Sequence, residues 1–355
     1  MKTVLHVLGA RPNYVKASPV INAINFANQV ILNTGQHYDK ILSSDIALSL
    51  KMKKPDINLS LPDAQNTYER LSYLIEKLSD HFLEIKPDIV ILYGDVDSTL
   101  AAALVAARME IPIVHVESGL RSYDNTMPEE INRKVVDALS SIHLVTEYSG
   151  LKNLRHEGFE ESVHFVGNSM IDSLVSVMNS DLYESSEYEN FGNILLTCHR
   201  PSNVDSHRAL TKVLDMCKSL KRRVVWPVHP RTLHKMKEYN LLQSFENLEN
   251  LELIDPLDYC NFLKMMATST AVITDSGGIQ EETTFLNIPC LTIRENTERP
   301  ATITEGSNTL ISFEDAAPYI ELIYNNKYKN SEIPQLWDGK ASVRMANVIL
   351  KFMQS

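Results

Sequence analysis

KPDIVILYGDVDSTLAAALVAARMEIPIVHVESGL, residues 86–120, reads as strand, helix and strand in succession. Asp88–Tyr93 is a short run of branched apolar residues, the pattern of a strand buried on both faces. The alanine- and leucine-rich Ser98–Met109 that follows favours a helix, and Ile113–Val116 is a second apolar strand. Two such strands joined by a helix are parallel neighbours, and a parallel sheet needs cover on both faces. This stretch predicts an α/β fold.

The same rhythm runs outward in both directions. Thr3–Leu8, Gln29–Thr34, His143–Thr146 and Val163–Val166 read as further strands. Helices are expected over Val15–Ala27, Ile41–Leu50, Thr67–Ile85, Pro128–Ser140 and Gly150–Glu157. The polar, acidic Asn179–Gly192 interrupts the pattern and reads as a linker. Beyond it, Ile194–Thr197, Val224–Pro227, Leu251–Ile254, Ala271–Thr274 and Pro289–Ile293 read as strands. Helices near His207–Leu220, Leu233–Tyr239, Tyr259–Met266 and Ile279–Leu286 separate them. The expected organisation is two Rossmann-like parallel-sheet domains facing a cleft, over residues 1–178 and 193–339, joined by a linker over 179–192. A last helix within 340–355 has two candidate partners, the second domain or, by packing back, the first.

Composition narrows the class. Of 355 residues, 44% are apolar and 22% charged, enough to bury large cores without disulfides or metals. The 34 Lys+Arg against 45 Asp+Glu leave a net charge of −11, which argues against broad charge-driven binding to nucleic acid or an anionic membrane. Cys198, Cys217, Cys260 and Cys290 show no metal-ligand spacing and read as reduced, buried thiols. With no signal-peptide pattern and no apolar run of transmembrane length, a cytoplasmic location is expected.

In such sheets ligands sit at the carboxyl ends of the strands. After the first strand come Gly9 and Arg11, then Lys16 on the next helix, a candidate anion site built from a helix start and two cations. Asp95 follows the fourth strand, with Asp97 read as a helix N-cap; Glu117 follows the fifth, and Glu129, Glu130 and Arg133 open the helix after it. Carboxylates gathered at neighbouring strand ends can reach a general acid–base range through burial and repulsion. In the second half, His199 and Arg200 follow one strand and His229 another. Cys198 and His199, adjacent on a strand, point to opposite faces and make a poor nucleophile pair. Ser276, Gly277 and Gly278 open a helix carrying Glu282, where converging N–H groups suit a phosphate and the carboxylate suits ribose hydroxyls.

These residues fall in GARPNYVK at 9–16, TGQHYD at 34–39, YGDVDSTLAAALVA at 93–106 and HVESGLRSYDNTMPEEINR at 115–133. They continue in VGN at 166–168, HRPSNVD at 199–205, PVHPRT at 227–232, TDSGGIQEE at 274–282 and RENTERP at 294–300. Together, over nearly the whole chain, these motifs closely resemble the non-hydrolysing UDP-N-acetylglucosamine 2-epimerase family. The resemblance implies the domain arrangement of GT-B glycosyltransferases, a UDP-sugar substrate, inversion at C2 to the N-acetylmannosamine epimer, and a homodimer. It implies that Arg11, His199, Ser276, Gly277 and Glu282 hold UDP, with Lys16, Arg200 and Gly278 beside them. It further implies that Asp95, Glu117 and Glu129 act on the sugar, with Arg133 holding them or the substrate; His199 is counted with these catalytic candidates. The family scheme needs no cofactor or metal, and the chain carries neither a GxGxxG fingerprint nor a Walker P-loop.

The sequence departs from the bacterial branch that a second substrate molecule activates. That branch has Arg-Glu after the His-Arg pair, where this chain has Pro201-Ser202-Asn203, and an arginine where this chain has Tyr73. Gln36, His37 and His229, which would line such a second site, are present. The alternatives weighed are an epimerase of a related UDP-2-acetamido sugar, a hydrolysing epimerase, a GT-B glycosyltransferase and a non-catalytic nucleotide-sugar sensor.

Overall fold

The computed structural model describes residues 1–35, 50, 52–59, 61 and 66–355. The helix expected over Ile41–Leu50 (Leu50 apart) and the candidates Gln36 and His37 lie outside the described residues. The chain divides into one unit of Met1–Ser176 with Gln335–Ser355 and a second of Val177–Pro334.

The first unit is built on a parallel sheet of β1 (Thr3–Leu8), β2 (Asn28–Asn33), β3 (Ile57–Asn58), β4 (Ile89–Tyr93), β5 (Ile113–Val116), β6 (Ile142–Val145) and β7 (Val163–Phe165). Their order is β3-β2-β1-β4-β5-β6-β7, so the chain reverses direction of growth between β1 and β4. The second unit repeats the scheme with β8 (Ile194–Thr197), β9 (Val224–Pro227), β10 (Leu251–Ile254), β11 (Ala271–Thr274), β12 (Cys290–Ile293) and β13 (Asn308–Ile311). Its order is β10-β9-β8-β11-β12-β13, with the reversal between β8 and β11. Each reversal parts the flanking loops at the carboxyl ends of the strands, the usual ligand position in a doubly wound sheet.

The strands form where branched apolar residues are consecutive, because both faces are covered. Val90 and Leu92 pack with Leu74, Leu78 and Phe82 of the Thr67–Ile85 helix. Leu196 and Ile273 pack with Val213 and Trp226 in the second core. The four cysteines are buried and unpaired, and among the described residues no helix is long and apolar enough to cross a membrane.

Several elements differ from expectation. The first helix starts at Arg11, four residues earlier than its periodicity suggests, and ends at Ala23. Pro12 suits the first turn, and the Asn13 side chain satisfies the otherwise orphaned Gly9 and Ala10 N–H groups. Val96, not Asp97, is the N-cap of the Asp97–Arg108 helix. Asp97 is already helical, and its carboxylate accepts instead from Asn132 Nδ2 at 3.2 Å. The Asn179–Gly192 stretch carries a short helix, Asp181–Glu184. Within it, Ser186 donates to Asn261, and Asn190 bonds Thr268 and Ser269 of the second unit.

Gln335–Ser355 returns to the first unit. Trp337 is buried there and donates to the Thr146 carbonyl at 2.9 Å. Asp172 takes the free N–H groups of Ala341 and Ser342 at the start of the Ala341–Gln354 helix, which packs on the Arg11–Ala23 helix.

Candidate active site

In the first unit, Asn13 ties the two sides of the sheet reversal together. Its oxygen takes the Gly9 and Ala10 N–H groups, and its amide donates to the Tyr93 carbonyl at 2.8 Å. Gly9 must be glycine, since a Cβ there would stand 2.7 Å from Ser98 on the helix after β4. This anchoring leaves Lys16 on the inner face of its helix, where its ammonium pairs with Glu117 across the sheet. Both side chains are almost wholly buried. Glu117 holds φ +75° and Gly119 φ +81°, so the carboxylate stands on a tight turn directly after β5. Strained backbone of this kind persists where surroundings over-determine it, commonly at functional sites.

Asp95 follows Gly94, whose α-carbon faces this pair. Its carboxylate accepts from Arg133 Nε at 2.8 Å, and its carbonyl from Asn132 at 2.8 Å. Arg133 also donates to Glu130 at 2.6 Å. Burial opposes charge on Glu130, but N–H groups of Ser122 and Tyr123, the Ser122 hydroxyl and Arg133 outweigh it and hold the carboxyl below its usual range. Glu129, one residue earlier, is exposed on the helix's first turn. Arg11 opens its helix; its side chain lies outside the described atoms.

Beneath these loops lies Asp137. It meets His115 Nδ1 at 2.6 Å, the Gly119 N–H at 3.0 Å and Arg121 at 2.7 Å. Arg121 in turn forks onto Glu157. Burial works against the Asp137 charge, yet His115 and Arg121 pull its pKa down to about 2.

In the second unit the corresponding tie is Asp275, fully buried at the end of β11. It accepts from the His199 and Arg200 N–H groups, from Asn203 and from the Cys198 thiol, fixing the loop after β8. His199 and His229 have ring centroids 5.8 Å apart, and His229 Nδ1 accepts from the Arg231 N–H. Ser276 caps the Gly277–Phe285 helix, which also carries Gly278. A Cβ on Gly277 would press 2.8 Å from Arg299, which pairs with Glu298 and Glu281 beneath that turn. Glu282 is buried and accepts from the Tyr259 hydroxyl at 2.8 Å.

Thus Lys16, Glu117, Asp95 and Arg133 share the strand ends of the first unit. His199, Arg200, Ser276, Gly277, Gly278 and Glu282 share those of the second, with His229 beside His199. Sequence reading did not single out Asn13, Asp137 or Asp275 as the ties beneath these groups. A signal for Asp137 was available: Glu130, Arg133 and Asp137 fall at i, i+3 and i+7 of one helix, and that face is the buried one.

Residues 21–350 match the family model for UDP-N-acetylglucosamine 2-epimerase. A Methanococcus maripaludis protein named UDP-N-acetylglucosamine 2-epimerase is 33% identical, covering 97% of each chain. A Pseudomonas aeruginosa protein named UDP-2,3-diacetamido-2,3-dideoxy-D-glucuronate 2-epimerase is 35% identical over 87% of this chain and 88% of its own. The crystal structure of Methanocaldococcus jannaschii UDP-GlcNAc 2-epimerase in complex with UDP-GlcNAc and UDP superposes with a TM-score of 0.90 at 32% identity, covering 98% of this chain and 99% of that one. By its match to the family model and by these similarities over nearly its whole length, the chain belongs to the UDP-N-acetylglucosamine 2-epimerase family.

Proposed function

We propose that the chain interconverts UDP-N-acetylglucosamine and UDP-N-acetylmannosamine without releasing free sugar. The observation that carries this reading is the buried Lys16–Glu117 pair beside the Asp95–Arg133 pair, at the strand ends of a chain in this family. A carboxylate takes the C2 proton while the C1–O bond to UDP breaks, leaving 2-acetamidoglucal and UDP. Re-addition of the UDP oxygen at C1, with a proton delivered to the opposite face of C2, gives the epimer. Asp95, Glu117 and Glu129 are the candidates for these proton transfers, each typically contributing about 10²–10⁴-fold. The Lys16 ammonium balances the charge of Glu117, which lets a carboxylate persist in a buried place.

On this reading, the diphosphate charge that grows during elimination is met by Arg11, His199, Arg200 and the N–H groups at Ser276, Gly277 and Gly278. Glu282 serves the ribose. Gln36, His37 and His229 are candidates for a second site. A cytoplasmic homodimer belongs to the same reading and rests on the family resemblance.

Incubation with UDP-N-acetylglucosamine in D2O, followed by NMR of the sugar, tests the proposal. Deuterium at C2 in both epimers, still attached to UDP, is the expected result. Accumulation of free N-acetylmannosamine would move the chain to the hydrolysing class. A second reading, a UDP-diacetamido-uronate substrate, is favoured by the Pseudomonas relative's name. Turnover of that sugar with inertness toward UDP-N-acetylglucosamine would establish it.

A further inference from the structure

His115 lies on β5 with its ring fully buried, two residues before Glu117. Its Nε2 is 2.9 Å from the carbonyl oxygen of Gly94, the residue before Asp95. A carbonyl only accepts, so Nε2 carries a proton. Its Nδ1 is 2.6 Å from Asp137 Oδ1, and Asp137 already accepts from the Gly119 N–H and from Arg121 on its other oxygen. A carboxylate so placed is an acceptor as well, so Nδ1 must also donate. Both ring nitrogens therefore hold protons.

We infer that His115 is a standing imidazolium and that the His115–Asp137 pair is the strut that sets the separation of the Asp95 and Glu117 loops. The neighbouring groups agree. From β6, His143 faces the same cluster, donates Nε2 to the Asp137 carbonyl at 2.8 Å and is held neutral by burial. From the helix comes Asp137, from the loop after β5 Arg121, and on the β4 side the ring meets the Gly94 carbonyl.

The geometry makes the pair a positioning device. Asp137 grips Gly119, just beyond Glu117, on a turn packed so closely on the Tyr148–His156 helix that a Cβ on Gly119 would stand 2.4 Å from the Gly150 carbonyl. Through His115 the same carboxylate grips Gly94, just before Asp95. One buried anion thus spans both loops. The inference rests on the reading of Asp95 and Glu117 as the acting carboxylates.

The test uses full-length protein with 15N-labelled histidine rings, the His115 signals being assigned by their loss in His115→Gln. Both His115 nitrogens are expected to show attached protons, as their two acceptor partners require. In Asp137→Asn one nitrogen is expected to lose its proton. Both variants are expected to lose about 10²-fold in kcat, the scale of a 1 Å misplacement, while UDP affinity is kept. A bare ring nitrogen in the wild type, or wild-type kcat in both variants, overturns the proposal. If neither variant folds, the His115 ring is assigned in the wild type by nuclear Overhauser contacts of its Nε2 proton with Gly94, and the same criterion applies. Asp95→Asn and Glu117→Gln run in parallel separate the two readings: wild-type turnover in both would sink the acids and leave the charged ring standing.

Discussion

The Lys16 ammonium and the Glu117 carboxylate pair across β1, β4 and β5 with 7% and 6% of their side chains exposed, directly under the α-carbon of Gly94. Removing one member of a buried pair leaves the other charge uncompensated, at a cost of about 3–5 kcal/mol. Lys16→Met and Glu117→Gln are each expected to lower the melting temperature. The double variant should recover much of that loss and stay inactive. Additive losses in a double-mutant cycle of thermal unfolding would show the two charges to be independent.

Gly94 has φ +65°, and a Cβ there would lie 3.0 Å from Lys16 Nζ and 3.3 Å from Glu117 Oε2. Those atoms are the ends of side chains, so a methyl group displaces them rather than the sheet. Gly158 has φ +94° with nothing within 4 Å of a Cβ, which makes it the control. Both alanine variants should lose about 1–2 kcal/mol for the left-handed backbone. Gly94→Ala alone should also lose kcat. Unimpaired turnover in Gly94→Ala would mean that shifting the Lys16 ammonium does no harm.

Asp275 gathers four donors, two of them the backbone N–H groups of His199 and Arg200. Asp275→Ala should cost about 1–3 kcal/mol for each buried donor left unmet, read from urea midpoints. Because the same carboxylate fixes the loop carrying His199 and Arg200, calorimetry should show weaker UDP binding in the better-folded Asp275→Asn. Tight UDP binding there would separate this loop from the diphosphate.

Acid sensitivity has two windows. Burial lowers His6 from 6.5 to about 4, so the folded state resists a proton that the unfolded chain accepts. Stability from this site is full above pH 6.5 and falls by about 3 kcal/mol as pH drops to 4. His143, lowered by the same cause, acts in the same direction. Asp137, depressed from 3.8 to about 2, contributes above pH 4 and is lost between 4 and 2. Urea midpoints measured from pH 7 to 3 should decline across the first window. A His6→Leu variant should show a shallower decline there, and an unaltered slope would rule out His6 as a source.

How far the sequence could be read follows from where each signal resides. The bounds of β1, β5, β8 and β11 were legible because short, mainly branched apolar runs, broken within only by His6 and His115, demand cover on both faces. β3 and β13 were not: two residues and an Asn-Thr-Leu-Ile run become strands through the ladders beside them. The positions of Asp95, Glu117 and Ser276 were legible as strand-end positions, since each comes one or two residues after the last residue of β4, β5 or β11, and Lys16 as a cation in the second turn of the helix after β1. Asp137 and Asp275 were not, since what they hold lies up to 77 residues away in the chain and hydrogen-bond partners are a tertiary fact. Glu129 and Glu130 look equivalent in sequence; one helical step leaves the first exposed and buries the second against Arg133.

The return of Gln335–Ser355 to the first unit has a consequence for biosynthesis. Trp337 and the Ala341–Gln354 helix are made after the whole of Val177–Pro334, yet they close contacts with Thr146, Asp172 and the Arg11–Ala23 helix. While Val177–Pro334 is being made, the unit bearing Lys16 and Glu117 waits with that apolar face bare. The second unit has all its strands in one uninterrupted segment and can finish first. The order of completion during translation is therefore the reverse of the order of synthesis.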